Sequence, residues 1–103
     1  MDKLPNIHPG EILREEFLRP LEMTAYRLAQ NLGVHQTAIS EILNGKRRVS
    51  AAMALRFSRF FGTTARFWLN LQDAYDLEEE ASKMGDKLTN IQPLESAPAL
   101  SLP

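Results

Sequence analysis

Between Thr24 and Arg47 the apolar positions recur at the spacing of two short helices separated by a glycine turn. Leu28, Ala29 and Leu32 share one helical face, and Gly33 supplies the left-handed residue that ends the first helix. Thr24 stands at its N-cap, with Met23 and Leu28 placed as a hydrophobic staple across it. Val34 follows, and His35 takes a second cap position. From there Ala38, Ile39, Ile42 and Leu43 are apolar, while Gln36, Thr37, Ser40, Glu41 and Asn44 form a polar stripe. Gly45 closes this helix, and Lys46, Arg47 and Arg48 come directly after it. A short helix with a hydrogen-bonding stripe, held against a partner helix and followed by cations, suits the major groove of DNA. An ordinary helical hairpin with a solvated face is the plain alternative. Agreement of spacing, stripe and cations in one run favours a helix-turn-helix.

The same period predicts three further helices around this pair. His8-Pro9-Gly10-Glu11 opens the first, with His8 at the cap and Pro9 in the first turn, and Ile7 and Ile12 are spaced as a staple. Ile12, Leu13, Phe17 and Leu18 give its buried face, Glu15 and Arg19 an exposed pair, and Pro20 its end. Ser50 caps the next, whose apolar side is Met53, Ala54, Phe57, Phe60 and Phe61 and which Gly62 ends; the helical spacing marks this aromatic group as core rather than a base-stacking platform. Thr63 or Thr64 starts the last helix, which runs to about Met84 before Gly85. Its first half, with Phe67, Trp68, Leu71 and Tyr75, covers the bundle. Its second half keeps a narrow strip, Leu77, Ala81 and Met84, beyond the part needed to close the core, and a second copy of the chain is the simplest partner for it. The predicted fold is all-α, a compact five-helix domain with an extended last helix over residues 1–85 and a flexible tail over 86–103. Met1 to Ile7 reads as an extended arm; the tail carries Pro93, Pro98 and Pro103 without periodicity, though Ile91, Leu94, Leu100 and Leu102 could dock as an extended strand.

Composition changes this picture little, and charge changes it more. A chain of 103 residues with 44% hydrophobic and 24% charged residues is ordinary for one soluble domain. There is no cysteine, and His8 and His35 lie far apart, so neither a disulfide framework nor a zinc site is expected. No run reaches membrane-spanning length and no signal-peptide pattern is present, which leaves the cytoplasm as the expected compartment. The net charge of −1 conceals a strong division along the chain. From Ile42 to Gln72 there is no acidic residue, while Lys46, Arg47, Arg48, Arg56, Arg59 and Arg66 are present. From Asp73 to Glu80 the sign reverses, with Asp73, Asp76, Glu78, Glu79 and Glu80. Attraction to phosphate follows the local field, so the basic middle is compatible with DNA, and the acidic run reads as a solvated helix face. No catalytic constellation is evident: Ser40 and Ser50 lack a histidine partner, and no glycine loop cradles a phosphate. The pattern points to binding without an enzyme's chemistry or a cofactor.

Several runs together resemble a known family. HPGEIL from His8, EEFL from Glu15, LA--LGV from Leu28, IS-ILNGKR from Ile39, AL-F---FG from Ala54 and FWLNLQ--YDL from Phe67 are similar to the HigA antitoxins, within the wider Xre/Cro-like, lambda-repressor-like regulators. The likeness covers about His8 to Leu77; the central motif is widely shared, whereas the opening and closing runs are specific to the antitoxins. The resemblance implies a homodimer that neutralises a HigB-like, RelE-class mRNA-cleaving toxin. It also implies repression of the operon for both proteins through palindromic double-stranded operator DNA. It places base contacts on Gln36, Thr37, Ser40 and Glu41, where Gln36 can pair with adenine and Thr37 can pack its methyl on thymine. Phosphate contacts fall on Lys46, Arg47 and the amides at the Thr24 cap. Glu41 departs from an ideal DNA-facing residue, because it repels phosphate unless it accepts from cytosine. A free-standing phage-type repressor is the alternative function, and the neighbouring reading frame separates the two.

Overall fold

The computed structural model describes residues 5–95 and contains six helices over that span. Helix α1 covers 9–21 and changes pitch along its length. An α-helical opening, Pro9–Ile12, passes into a π-helical middle, Leu13–Leu18, where the Arg19 amide reaches back to the Arg14 carbonyl, and closes in an α turn, Arg19–Leu21. Pro20 therefore does not end the helix as its residue type predicts. A proline ring presses on the carbonyl four residues back, and the wider π turn before Pro20 makes room for it. The end comes at Glu22, in the left-handed region at φ 51°, and the Met23 amide then donates to the Leu18 carbonyl at 2.9 Å.

Helices α2 (Ala25–Leu32) and α3 (Gln36–Leu43) form the hairpin, followed by α4 (Ala51–Phe61) and α5 (Ala65–Met84). Each of the expected caps Thr24, Ser50 and Thr64 accepts the amide three residues on. A single further turn, α6 (Asp86–Thr89), follows Gly85, so the start of the expected tail is helical. Residues 90–95 are exposed and without regular structure. The arm's residues 1–4 and the tail's residues 96–103, Leu100 and Leu102 among them, lie outside the described residues.

Leu13, Leu28, Ile39, Ile42, Val49, Ala54, Phe57 and Trp68 are fully buried at the centre. Trp68 is the hub, with Phe57, Phe17, Phe67 and Phe61 centred 4.8, 5.1, 5.1 and 6.2 Å from it. Its indole N–H donates to the Thr63 hydroxyl at 2.8 Å, which satisfies the polar atom of the buried ring. Phe60, expected on the buried face, is 37% exposed instead. The expected pair Glu15–Arg19 forms at 3.2 Å.

Candidate nucleic-acid interface

The interface begins with the turn between α2 and α3. Gly33 adopts φ 70°, and the Val34 amide returns to the Ala29 carbonyl at 3.0 Å, the hydrogen bond of a left-handed helix end. The extended His35 then opens α3, although its side chain makes no capping bond. Ile39 and Ile42 are completely buried, which fixes the rotation of α3 about its axis. Gln36 and Thr37 are consequently exposed, with Ser40 and Glu41 half-buried beside them, so the expected stripe forms one outward face.

The far end of α3 is held from three directions. Arg14 donates from Nη2 to the Leu43 carbonyl at 3.1 Å. Gly10 of α1 lies so close to the Ile42 carbonyl that a Cβ there would stand 1.8 Å from its oxygen. Beneath Gly45 sits the His8 ring, whose Nδ1 accepts the Gly10 amide at 2.9 Å and which meets Tyr75 in a T-shaped contact, ring centroids 4.8 Å apart. Gly45 itself has φ 72°, and the Lys46 amide closes the helix on the Glu41 carbonyl at 2.8 Å.

Three cations follow, and the structure treats them differently. Lys46 is exposed. Arg47 donates from Nε at 2.8 Å and from Nη2 to a single Glu41 oxygen. Glu41 thus has a partner that offsets its repulsion of phosphate. An exposed pair of this kind contributes about 0.2–1 kcal/mol. Arg48 turns the other way, to Asp76 at 2.8 Å. Asp76 also accepts from Gln72, which is 1% exposed and accepts the Val49 amide at 2.7 Å. Burial alone would raise the Asp76 pKa; the hydrogen bonds from Arg48 and Gln72, with the Arg48 and His8 charges, outweigh it and hold the carboxyl below its usual value. Burial lowers the His8 pKa, against the pull of Asp76.

The sequence-predicted residues Gln36, Thr37, Ser40, Glu41, Lys46 and Arg47 thus lie on α3 and the turn after it, and Thr24 is exposed at the start of α2. Arg14, Gln72 and Asp76 were not among them. One signal was present for Gln72: it falls at helical spacing between Trp68 and Tyr75, a polar residue in a buried register. Asp76 and Glu79 also depart from a simply solvated acidic face, since Glu79 accepts from Asn6 at 3.2 Å. Leu77 is 71% exposed, Ala81 is exposed and Met84 half-buried, so little of this chain covers that strip. Among the described residues no helix is long and apolar enough to cross a membrane.

Comparison with known proteins agrees with this geometry. The Helix-turn-helix family matches residues 13–68. Antitoxin HigA-1 of Vibrio cholerae is 35% identical over 85 residues, 82% of this chain and 80% of that protein. The chain belongs to the HigA family of helix-turn-helix regulators. Virulence-associated protein I of Dichelobacter nodosus is 49% identical over 77 residues, 75% of this chain and 71% of that protein. Among solved structures, the Pseudomonas aeruginosa antitoxin HigA with the higBA promoter superposes at a TM-score of 0.85 and 41% identity, covering 87% of this chain and 99% of that one. That superposition covers more of the chain than the helix-turn-helix match over residues 13–68.

Proposed function

We propose that this chain is the antitoxin of a type II toxin–antitoxin module, and that it both neutralises an mRNA-cleaving HigB-like toxin and represses its own operon. One observation carries the DNA half: α3 presents Gln36, Thr37, Ser40 and Glu41 on a single outward face, fixed by a buried opposite face, with Lys46 and Arg47 directly after it. That layout permits base-edge contacts from the stripe and phosphate contacts from the cations and the Thr24 cap. The similar Pseudomonas aeruginosa HigA was solved with its promoter, which supports the same use of this surface. A single α3 reads only a half-site, so a two-fold dimer with its two copies about 34–36 Å apart is part of the proposal. The strip of Leu77 and Ala81, exposed, and Met84, half-buried, is the face we assign to that pairing.

The toxin half rests on membership of the HigA antitoxin family. Co-expression tests it. This chain is expected to restore growth to cells making the protein of the adjacent reading frame, and the two to co-purify. The Gln36→Ala/Thr37→Ala variant is expected to retain rescue, because the stripe is assigned to DNA alone. Absence of rescue by a folded, operator-binding chain would instead establish a free-standing repressor.

A further inference from the structure

Three consecutive cations, Lys46, Arg47 and Arg48, stand side by side, yet only Arg48, itself exposed, pairs with a carboxylate that a buried side chain also holds. The difference originates in α5. Gln72 is buried in the core register, and a buried amide needs partners for both of its ends. Its Oε1 accepts the Val49 amide at 2.7 Å, and its Nε2 donates to Asp76 Oδ1 at 2.9 Å. The other Asp76 oxygen takes Arg48 at 2.8 Å. Val49 is fully buried, so both its side chain and its amide are pinned one residue beyond the cations.

We propose that Gln72 is a positioning residue for the phosphate-binding turn: by holding the Val49 amide and the Asp76 carboxylate, it fixes the 45–49 segment so that Lys46 and Arg47 are presented to DNA and Arg48 is withdrawn from it. The inference rests on the DNA-binding reading above. It adds that the electrostatic part of binding is set from α5, remote from the bases, and that the three adjacent cations do not count equally. Gln72 touches no DNA; it acts through Val49.

Salt dependence separates this role from simple stabilisation, because its slope reports how many phosphates are neutralised, about 0.9 per contact on duplex DNA. The probe is a duplex from the region directly upstream of the operon that holds the chain's reading frame, titrated with full-length protein over a range of salt concentrations. Gln72→Met removes the acceptor and the donor while keeping length. Corrected for its folded fraction, it binds with a slope shallower by about one to two units and with unchanged ranking of half-site base substitutions. A folded Gln72→Met with the unmodified slope overturns the proposal. Should Gln72→Met not fold, Arg48→Gln/Asp76→Asn decides, since it deletes the withdrawn pair without changing net charge. The slope then stays where it was, and a fall of about 0.9 overturns the proposal by making Arg48 a phosphate ligand. Absence of salt-dependent binding by the unmodified chain would refute the DNA reading itself, which keeps the two failures distinct.

Discussion

Gly10 shows how closely the first helix is fitted to α3. Any side chain at this position meets the Ile42 carbonyl, a backbone atom of a helix that has no freedom to move away. Gly10→Ala is accordingly expected to cost about 3 kcal/mol, read as a lowered urea midpoint at constant m-value; an unchanged midpoint would contradict the packing. His8 makes the same junction sensitive to pH. Burial lowers its pKa, so the unfolded chain binds the proton more readily than the folded one. The stability this gives is complete above about pH 6.5 and is lost as pH falls through the folded value. Asp76, also depressed, contributes its own loss only at lower pH. Protonation further converts Nδ1 from the acceptor of the Gly10 amide into a donor. His8→Asn retains an acceptor for the cap but cannot titrate, and its midpoint is expected to fall less than the unmodified chain's between about pH 7.5 and 5.5. Equal falls would remove His8 from the account. The cap role of His8 was legible from its place before Pro9; its contact with Gly45 and Tyr75 was not, because that depends on where α5 passes.

At the level of elements, caps and glycines were the readable features. Thr24, Gly33, Ser50, Gly62 and Thr64 each mark a boundary by a local hydrogen bond or a left-handed backbone, and local chemistry is what a sequence displays. The pitch of α1 was not readable, since its π segment depends on i to i+5 bonds that no residue type announces. The distal half of α5 belongs to this scale too. Leu77 and Ala81 remain exposed along an acidic helix, a placement that a DNA-facing surface would disfavour and a dimer face distant from phosphate would allow. Leu77→Glu with Met84→Glu is expected to yield a folded monomer that binds operator much more weakly. Light scattering that still shows a dimer would place the interface elsewhere.

Over the whole molecule, the chain devotes its interior to holding one short helix at a fixed angle and its charge to two opposed regions. The division between a basic middle and an acidic end was visible in the sequence. That Asp76 would reach back to withdraw one cation was not, because the pairing spans 28 residues. The central claim is that α3 reads base edges while the turn after it holds phosphates, and a titration tests it most directly. The unmodified chain, Gln36→Ala/Thr37→Ala and Arg47→Ala are each measured against the upstream duplex and a scrambled duplex at several salt concentrations. The stripe variant is predicted to lose about 1–3 kcal/mol of preference between the duplexes per lost contact, with its salt slope intact. Arg47→Ala is predicted to weaken both duplexes alike and to lower the slope by about one unit. Undiminished preference in the stripe variant, with binding otherwise normal, would contradict the assignment of α3 to the groove.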